Sequence, residues 1–169
     1  PIRIRSLDNK KIIAAMRAIW LKNGQFNSYS ELMGLPKEQL STEYWFPWYN
    51  NAVPSLLDEQ FRFANADTTP TTIEVSVGST ILGTYDLDPG GSWRQSYPGL
   101  DNGPIRIRSL DNKKIIAAMR AVWIVGGQFS SYSELMGLPK EQLSTEYWFP
   151  WYNYAVPSLL DEQFRFGVP

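Results

Sequence analysis

The chain has 169 residues, with 16 basic against 17 acidic side chains and a net charge of -1, so no electrostatic surplus points to nucleic acid or an anionic membrane as partner. Cysteine and histidine are both absent, which removes the thiolate nucleophile, the imidazole base and the usual zinc ligands. Aromatic side chains are abundant instead, with seven Trp, nine Tyr and eight Phe, a supply of contact area suited to packed sheets and interfaces.

In chain order, Ile2 and Ile4 alternate with Arg3 and Arg5, the period-two signature of a half-exposed strand. The next apolar run, Ile12–Leu21, is broken by Arg17 and reaches only about half the ~20 residues that cross a bilayer. No membrane insertion is expected. The segment 10–21 carries helix-favouring Ala and Met, but it ends at Asn23-Gly24, a pair that accepts the positive φ angles of a tight hairpin. It is therefore read as a strand. After the turn, Ser28-x-x-Glu31 has the form of a helix-capping box and Leu35–Leu40 that of a helical turn, predicting two short helices.

The segment Tyr44-Trp45-Phe46-Pro47-Trp48-Tyr49 follows. As one continuous strand it places Tyr44, Phe46 and Trp48 on one face and Trp45 and Tyr49 on the other, so both faces are aromatic. Pro47 cannot donate to a ladder and argues for an edge or a bulge; an edge strand with large apolar groups on both sides invites association unless something covers it. Further strands are read at Phe61 and Phe63, at Ile73, Val75 and Val77, at 82–87 and at 93–97, the last two separated by the turn Asp88-Pro89-Gly90-Gly91. That spacing suggests a meander or sandwich. Thr68–Thr72 reads as a stiff connector or a carrier of O-linked glycans.

Residues 1–63 recur at 104–166 with a constant offset of 103, and 57 of the 63 positions are identical. The six differences are Ile19/Val122, Leu21/Ile124, Lys22/Val125, Asn23/Gly126, Asn27/Ser130 and Asn51/Tyr154. Four of them lie between 19 and 23, where a hairpin tip tolerates change. In the second copy the turn becomes Gly126-Gly127, which shares the positive-φ tolerance of Asn-Gly. The chain thus reads as a window on a tandem array: residues 1–41 end one unit, 42–144 form a complete unit and 145–169 open the next. It starts at Pro1 without Met, and an export signal is expected upstream.

Chemistry-bearing candidates are few. Asp86 and Asp88 offer carboxylates to Ca²⁺, but the segment is poor in oxygen ligands and is read as a plain turn, with no metal or cofactor expected. Lys10 and Lys11 beside Asp8 and Asn9 have the residue types of an amide crosslink, yet polar neighbours on a turn are more often solvated. The carboxylate pairs Asp58/Glu59 and Asp161/Glu162 point to opposite faces of a strand and imply no cleft. No enzyme activity is expected. The residues assigned to an interface are Tyr44, Trp45, Phe46, Trp48 and Tyr49 with their counterparts Tyr147, Trp148, Phe149, Trp151 and Tyr152, together with Tyr154.

The run 44–79, opening YWFPWYNNAVPSLLDEQFRF, is followed by GTYDLDPGGSWRQSYPG at 83–99 and YSELMGLPKEQLSTEYWFPWY at 132–152. Together these resemble the tandem domain-sized units of large exported proteins of filamentous, Chloroflexota-like bacteria. The resemblance covers nearly the whole chain and implies immunoglobulin-like antiparallel β-sandwich repeats with short helical turns. It also implies an extracellular or cell-surface location, and no catalytic residues. The expected function is structural: a subunit of an extracellular filament, sheath or stalk that joins copies of itself head to tail through strand edges and aromatic contacts. The alternative is a carbohydrate-binding or adhesin module stacking sugars on Trp45, Trp48 or Trp93.

Overall fold

Alternation of apolar and polar side chains decides which face each strand turns inward, and the computed structural model, which describes residues 1–153, 155–156, 158 and 162–169, is all-β. The first copy contributes a separate hairpin, β1 (Ala15–Lys22) and β2 (Gln25–Met33). The next strands are β3 (Glu43–Phe46), β4 (Tyr49–Asn50), β5 (Leu57–Asn65), β6 (Thr71–Val77), β7 (Thr80–Leu87), β8 (Ser92–Gln95) and β9 (Asp101–Asn102). The second copy adds β10 (Ile105–Ser109), β11 (Ile115–Val125), β12 (Gln128–Met136) and β13 (Leu138–Pro139). One five-stranded antiparallel sheet has the order β13-β3-β10-β6-β7, and a four-stranded one has the order β12-β11-β5-β8. Both are drawn from residues 43–139 and share one core, an arrangement consistent with a β-sandwich.

The core is legible strand by strand. In β5, Glu59, Phe61 and Phe63 turn inward while Asp58, Gln60 and Arg62 face out. In β10, Ile105 and Ile107 turn inward, and Arg106 and Arg108 lie outside against Glu74 at 3.4 and 2.9 Å. Tyr44, Phe46, Ile73, Val75, Ile115 and Ala117 complete the interior. The two sheets meet at ring contacts, Phe46 to Phe61 at 5.1 Å and Phe63 to Tyr85 at 5.1 Å. Each fully buried Ile or Phe contributes about 1.5–3 kcal/mol of transfer free energy.

Two local expectations change. The capping-box segment Ser28–Glu31 is part of strand β2, not a helix; its partner β1 offers an antiparallel ladder from Ala15↔Met33 to Lys22↔Gln25, broken by one bulge between Trp20 and Leu21, which outweighs a local cap. The helical turn appears as 3-10 turns at Lys37–Gln39 and Lys140–Gln142. The aromatic segment is not one strand either. Pro47 and Trp48 interrupt it between β3 and β4, so its side-chain parity shifts: Tyr44, Phe46 and Tyr49 are buried, while Trp45 and Trp48 are half-buried.

Nor is β3 an open edge, because β13 pairs with it as Leu138↔Trp45 and Pro139↔Tyr44. Asn51, just past β4, is fully buried. Its amide donates to Tyr49 Oη at 3.2 Å and Asp58 Oδ1 at 3.3 Å, and its backbone exchanges hydrogen bonds with Leu100 and Gly99.

Thr71, expected on a connector, opens β6 and is buried against Ser109 at 2.7 Å, which removes it as a glycan carrier. Asp88–Gly91 form the turn between β7 and β8, with Gly90 at a φ of 74°. The hairpin tips behave as their sequences predict, with φ of 52° and 75° at Asn23 and Gly24 and of 58° and 76° at Gly126 and Gly127.

Candidate self-association surfaces

The interface assignment divides by copy. Tyr44, Phe46 and Tyr49 have no exposed surface and stand in the core rather than at a boundary. Trp45 lies on the outer sheet face, donating from Nε1 to Glu43 at 2.8 Å with the Arg106 guanidinium 5.8 Å from its ring. Trp48 donates to Asp101 at 2.7 Å. In the second copy the same side chains are bare: Tyr147, Phe149, Trp151 and Tyr152 are all exposed, and Trp148 is 86% exposed. Tyr154 lies outside the described residues.

The exposed tail nevertheless keeps the local geometry of the core. Tyr152 stacks on Phe164 at 5.1 Å and 22°, as Tyr49 stacks on Phe61 at 4.8 Å and 22°. Phe149 lies 5.3 Å from Phe164, as Phe46 lies 5.1 Å from Phe61. The Asn153 backbone N–H donates to the Glu162 carboxylate, repeating the bond from the Asn50 backbone N–H to Glu59. At the other end the mismatch is the same: Ile2 is 87% exposed whereas its counterpart Ile105 is wholly buried, and Ile4 and Ile12 are exposed where Ile107 and Ile115 are not. Side chains whose counterparts are buried in the core are thus exposed in both flanking segments.

A further surface, not anticipated from sequence, is the seam between the two hairpins. The β1–β2 hairpin lies along β12 of the second copy. Trp20 meets Phe129 at 5.8 Å and Tyr132 at 6.0 Å, both edge-on. The Asn27 amide donates to the Ser130 carbonyl at 2.8 Å, the Glu134 backbone N–H donates to Ser30 Oγ at 3.0 Å, and Gln142 donates to Gln39 at 3.3 Å. The only sequence trace of this surface is the clustering of copy differences around the tip, since rings on an isolated hairpin give no periodicity beyond that of a strand.

Two open clefts of about 340 and 490 Å³ run along the seam. The smaller is lined by Trp20, Arg62, Arg94 and Arg120. Burial, and then the neighbouring guanidinium groups of Arg120 and Arg94, lower the Arg62 pKa. The Arg120–Glu134 pair beside it, at 2.6 Å, is the counterpart of Arg17–Glu31 at 3.0 Å.

The other perturbed groups belong to the core. Burial pushes the Tyr44 hydroxyl up to about 12 and raises Tyr49, Tyr97 and Glu59. They are held in place by hydrogen bonds: Tyr44 donates to the Ile115 carbonyl at 3.0 Å, Tyr49 to the Glu59 carbonyl at 2.8 Å, and the Tyr85 and Tyr97 hydroxyls lie 2.9 Å apart. Asp58 and Glu59 face opposite sides of β5, as their adjacency requires. Lys10 pairs with Asp8 at 3.1 Å with both side chains in solvent. Among the described residues, no group of three or more acidic side chains is placed to hold a metal ion, and no helix is long and apolar enough to cross a membrane.

No family model and no curated protein matches the chain. Among solved structures, the crystal structure of Thermotoga maritima 1070 aligns with 13% identity and a TM-score of 0.47, covering 60% of this chain and 96% of that one.

Proposed function

We propose that this chain is a non-enzymatic structural subunit that joins copies of itself into an extracellular filament, sheath or stalk. In this reading it belongs to the immunoglobulin-like tandem repeats of exported proteins that its sequence resembles. One observation carries the proposal: side chains buried in the core of residues 43–139 have identical counterparts that are exposed, Ile2, Ile4 and Ile12 on one side and Tyr147, Phe149, Tyr152, Phe164 and Phe166 on the other. Exposed segments that carry core side chains seek partners, because apolar surface and unpaired backbone groups are both costly in water.

The two bare segments are complementary in register. Inside the sandwich, Ile105 pairs with Phe46, Ile107 with Tyr44, and Met119 with Phe61. The same ladder sets Ile2 of one chain opposite Phe149 of another, Ile4 opposite Tyr147, and Met16 opposite Phe164. This is strand addition between copies, and because the two surfaces differ, the contact is heterologous and does not close.

The test is Ile4→Asp in the full chain, read by sedimentation velocity and negative-stain electron microscopy. Regular fibres from the wild type and their loss in the variant support the proposal. A wild type that stays monomeric at every concentration overturns it. The rival reading, a carbohydrate-binding module, draws on the exposed indoles of Trp148 and Trp151; it requires Trp fluorescence to be quenched by polysaccharide in a dispersed protein.

A further inference from the structure

The seam between the hairpins joins like to like. Asn27 touches Ser130 and Gln39 touches Gln142, each the same position one repeat apart, while Ser30 touches Glu134, one position further. Contacts that keep this offset along the chain run the two copies parallel. A twofold along the strands would use the same surface of both copies, whereas a displacement in one direction uses different ones. The surfaces used here are different. The first copy presents Trp20 and Ser30; the second receives them on Phe129, Tyr132 and the Arg120–Glu134 pair.

Burial follows the same asymmetry. On the presenting face, Trp20 and Leu32 are half-buried and Ser30 is buried, whereas the counterparts Trp123, Ser133 and Leu135 are all exposed. On the receiving face, the Glu134 side chain is 4% exposed and Tyr132 is half-buried, whereas Glu31 is 45% exposed and Tyr29 is open; Phe129 and its counterpart Phe26 are both exposed. Each hairpin therefore has one face satisfied and the opposite type of face vacant.

We infer that the internal seam is one step of an open series: the Trp123 face of one chain docks on the Phe26–Tyr29 face of a second copy. This rests on the self-assembly reading above but uses residues separate from the exposed flanking segments. The occupant is a second copy, because the chain already holds the same two surfaces against each other. In the new contact, Trp123 takes the place of Trp20 over Tyr29, which already has the Arg17 guanidinium 5.1 Å from its ring, as Tyr132 has Arg120 at 5.0 Å. The Ser133 hydroxyl accepts from the Glu31 N–H, and docking shields the Arg17–Glu31 pair. A heterologous contact of this kind propagates rather than closing.

The experiment uses the full chain carrying Ile4→Asp, so that the bare-strand contact is weakened and the hairpin contact is read alone. Trp123→Ala and Tyr29→Ala are added separately; both side chains are exposed, and circular dichroism with thermal melting checks that the sandwich is intact. By sedimentation velocity, each variant is expected to associate about tenfold more weakly or worse, as for loss of an aromatic anchor. An equimolar mixture should recover a 1:1 pair, since each variant keeps the face the other lacks. Unchanged association in either variant, or a mixture no stronger than its components, overturns the inference. If Ile4→Asp alone abolishes association, the inference fails while strand addition stands. If Ile4→Asp is silent and Trp123→Ala is not, strand addition fails and the hairpin contact stands.

Discussion

The side-chain amide of Asn27 donates to the backbone carbonyl of Ser130 at 2.8 Å, and the two residues are the same position in successive copies. The contact exists because the copies differ here: Asn reaches a carbonyl that the shorter Ser does not. Replacing Asn27→Ser makes the copies alike and is expected to weaken docking of the first hairpin by about 0.5–1.5 kcal/mol. Amide exchange should then accelerate at Glu134, whose N–H donates across the seam, and stay unchanged at Ile107 in the core. Equal protection of Glu134 in both proteins would count against a stabilising role for Asn27.

Phe61 and Phe164 are counterparts in different surroundings. Phe61 is fully buried among Phe46, Tyr49 and Tyr97, so Phe61→Ala should cost about 3–5 kcal/mol in urea unfolding. Phe164 is exposed; Phe164→Ala should leave stability within about 0.5 kcal/mol of wild type while reducing assembly. Similar losses of stability from both substitutions would show that the tail is packed within the monomer.

Glu59 supplies a pH test. Its carboxyl is raised above the usual glutamate range, chiefly by burial, against the opposing bond from the Asn50 N–H. A carboxyl with a higher pKa folded than unfolded binds more protons in the folded chain. It therefore favours folding most below the ordinary glutamate value, and that contribution fades as pH climbs through the raised value. Glu59→Gln cannot titrate and should be more stable than wild type at neutral pH, with the difference shrinking toward acid. Urea midpoints at several pH values check this, and a difference that grows on acidification would reverse the sign argued here.

Gly137 follows β12 where the chain passes the core. A Cβ there would meet the Phe46 ring at 2.7 Å and Tyr44 Cβ at 3.1 Å, whereas at its counterpart Gly34 the closest atom is the Ala14 carbonyl at 3.1 Å. Gly137→Ala is expected to destabilise the sandwich by about 1–3 kcal/mol through overpacking, and Gly34→Ala by clearly less. Thermal unfolding of the two variants compares them directly.

Much of the fold is legible in the sequence because the strands alternate cleanly: Phe61 and Phe63 against Gln60 and Arg62, and Ile73 and Val75 beside a positive-φ turn. The hairpin at 15–33 is recoverable for a different reason, the exchange of Asn23-Gly24 for Gly126-Gly127, which only a turn requirement explains. The aromatic segment is less legible. Pro47 marks an interruption, but whether parity is kept across it depends on the bend between β3 and β4, which no residue pattern encodes. Coverage of β3 by Leu138 and Pro139 from the second copy is a long-range pairing with no local signal. The candidate surfaces divide the same way. Exposure of Tyr147 and burial of Tyr44 come from identical local sequence, so only the presence or absence of an opposite sheet separates them. The Trp20 seam needs two hairpins to be placed together before it exists.

The near-identity of 42–63 and 145–166 creates a hazard during folding, since either segment has the side chains to occupy the positions of β3 to β5. A single letter tells them apart. Asn51 fills a closed polar niche whose far wall, Tyr97 to Leu100, occurs once in the chain, and a tyrosine, the residue at 154, is too bulky for it. Its closed walls fit Asn51 and leave no room for a larger ring, so the fold of 43–139 favours the first segment over the second.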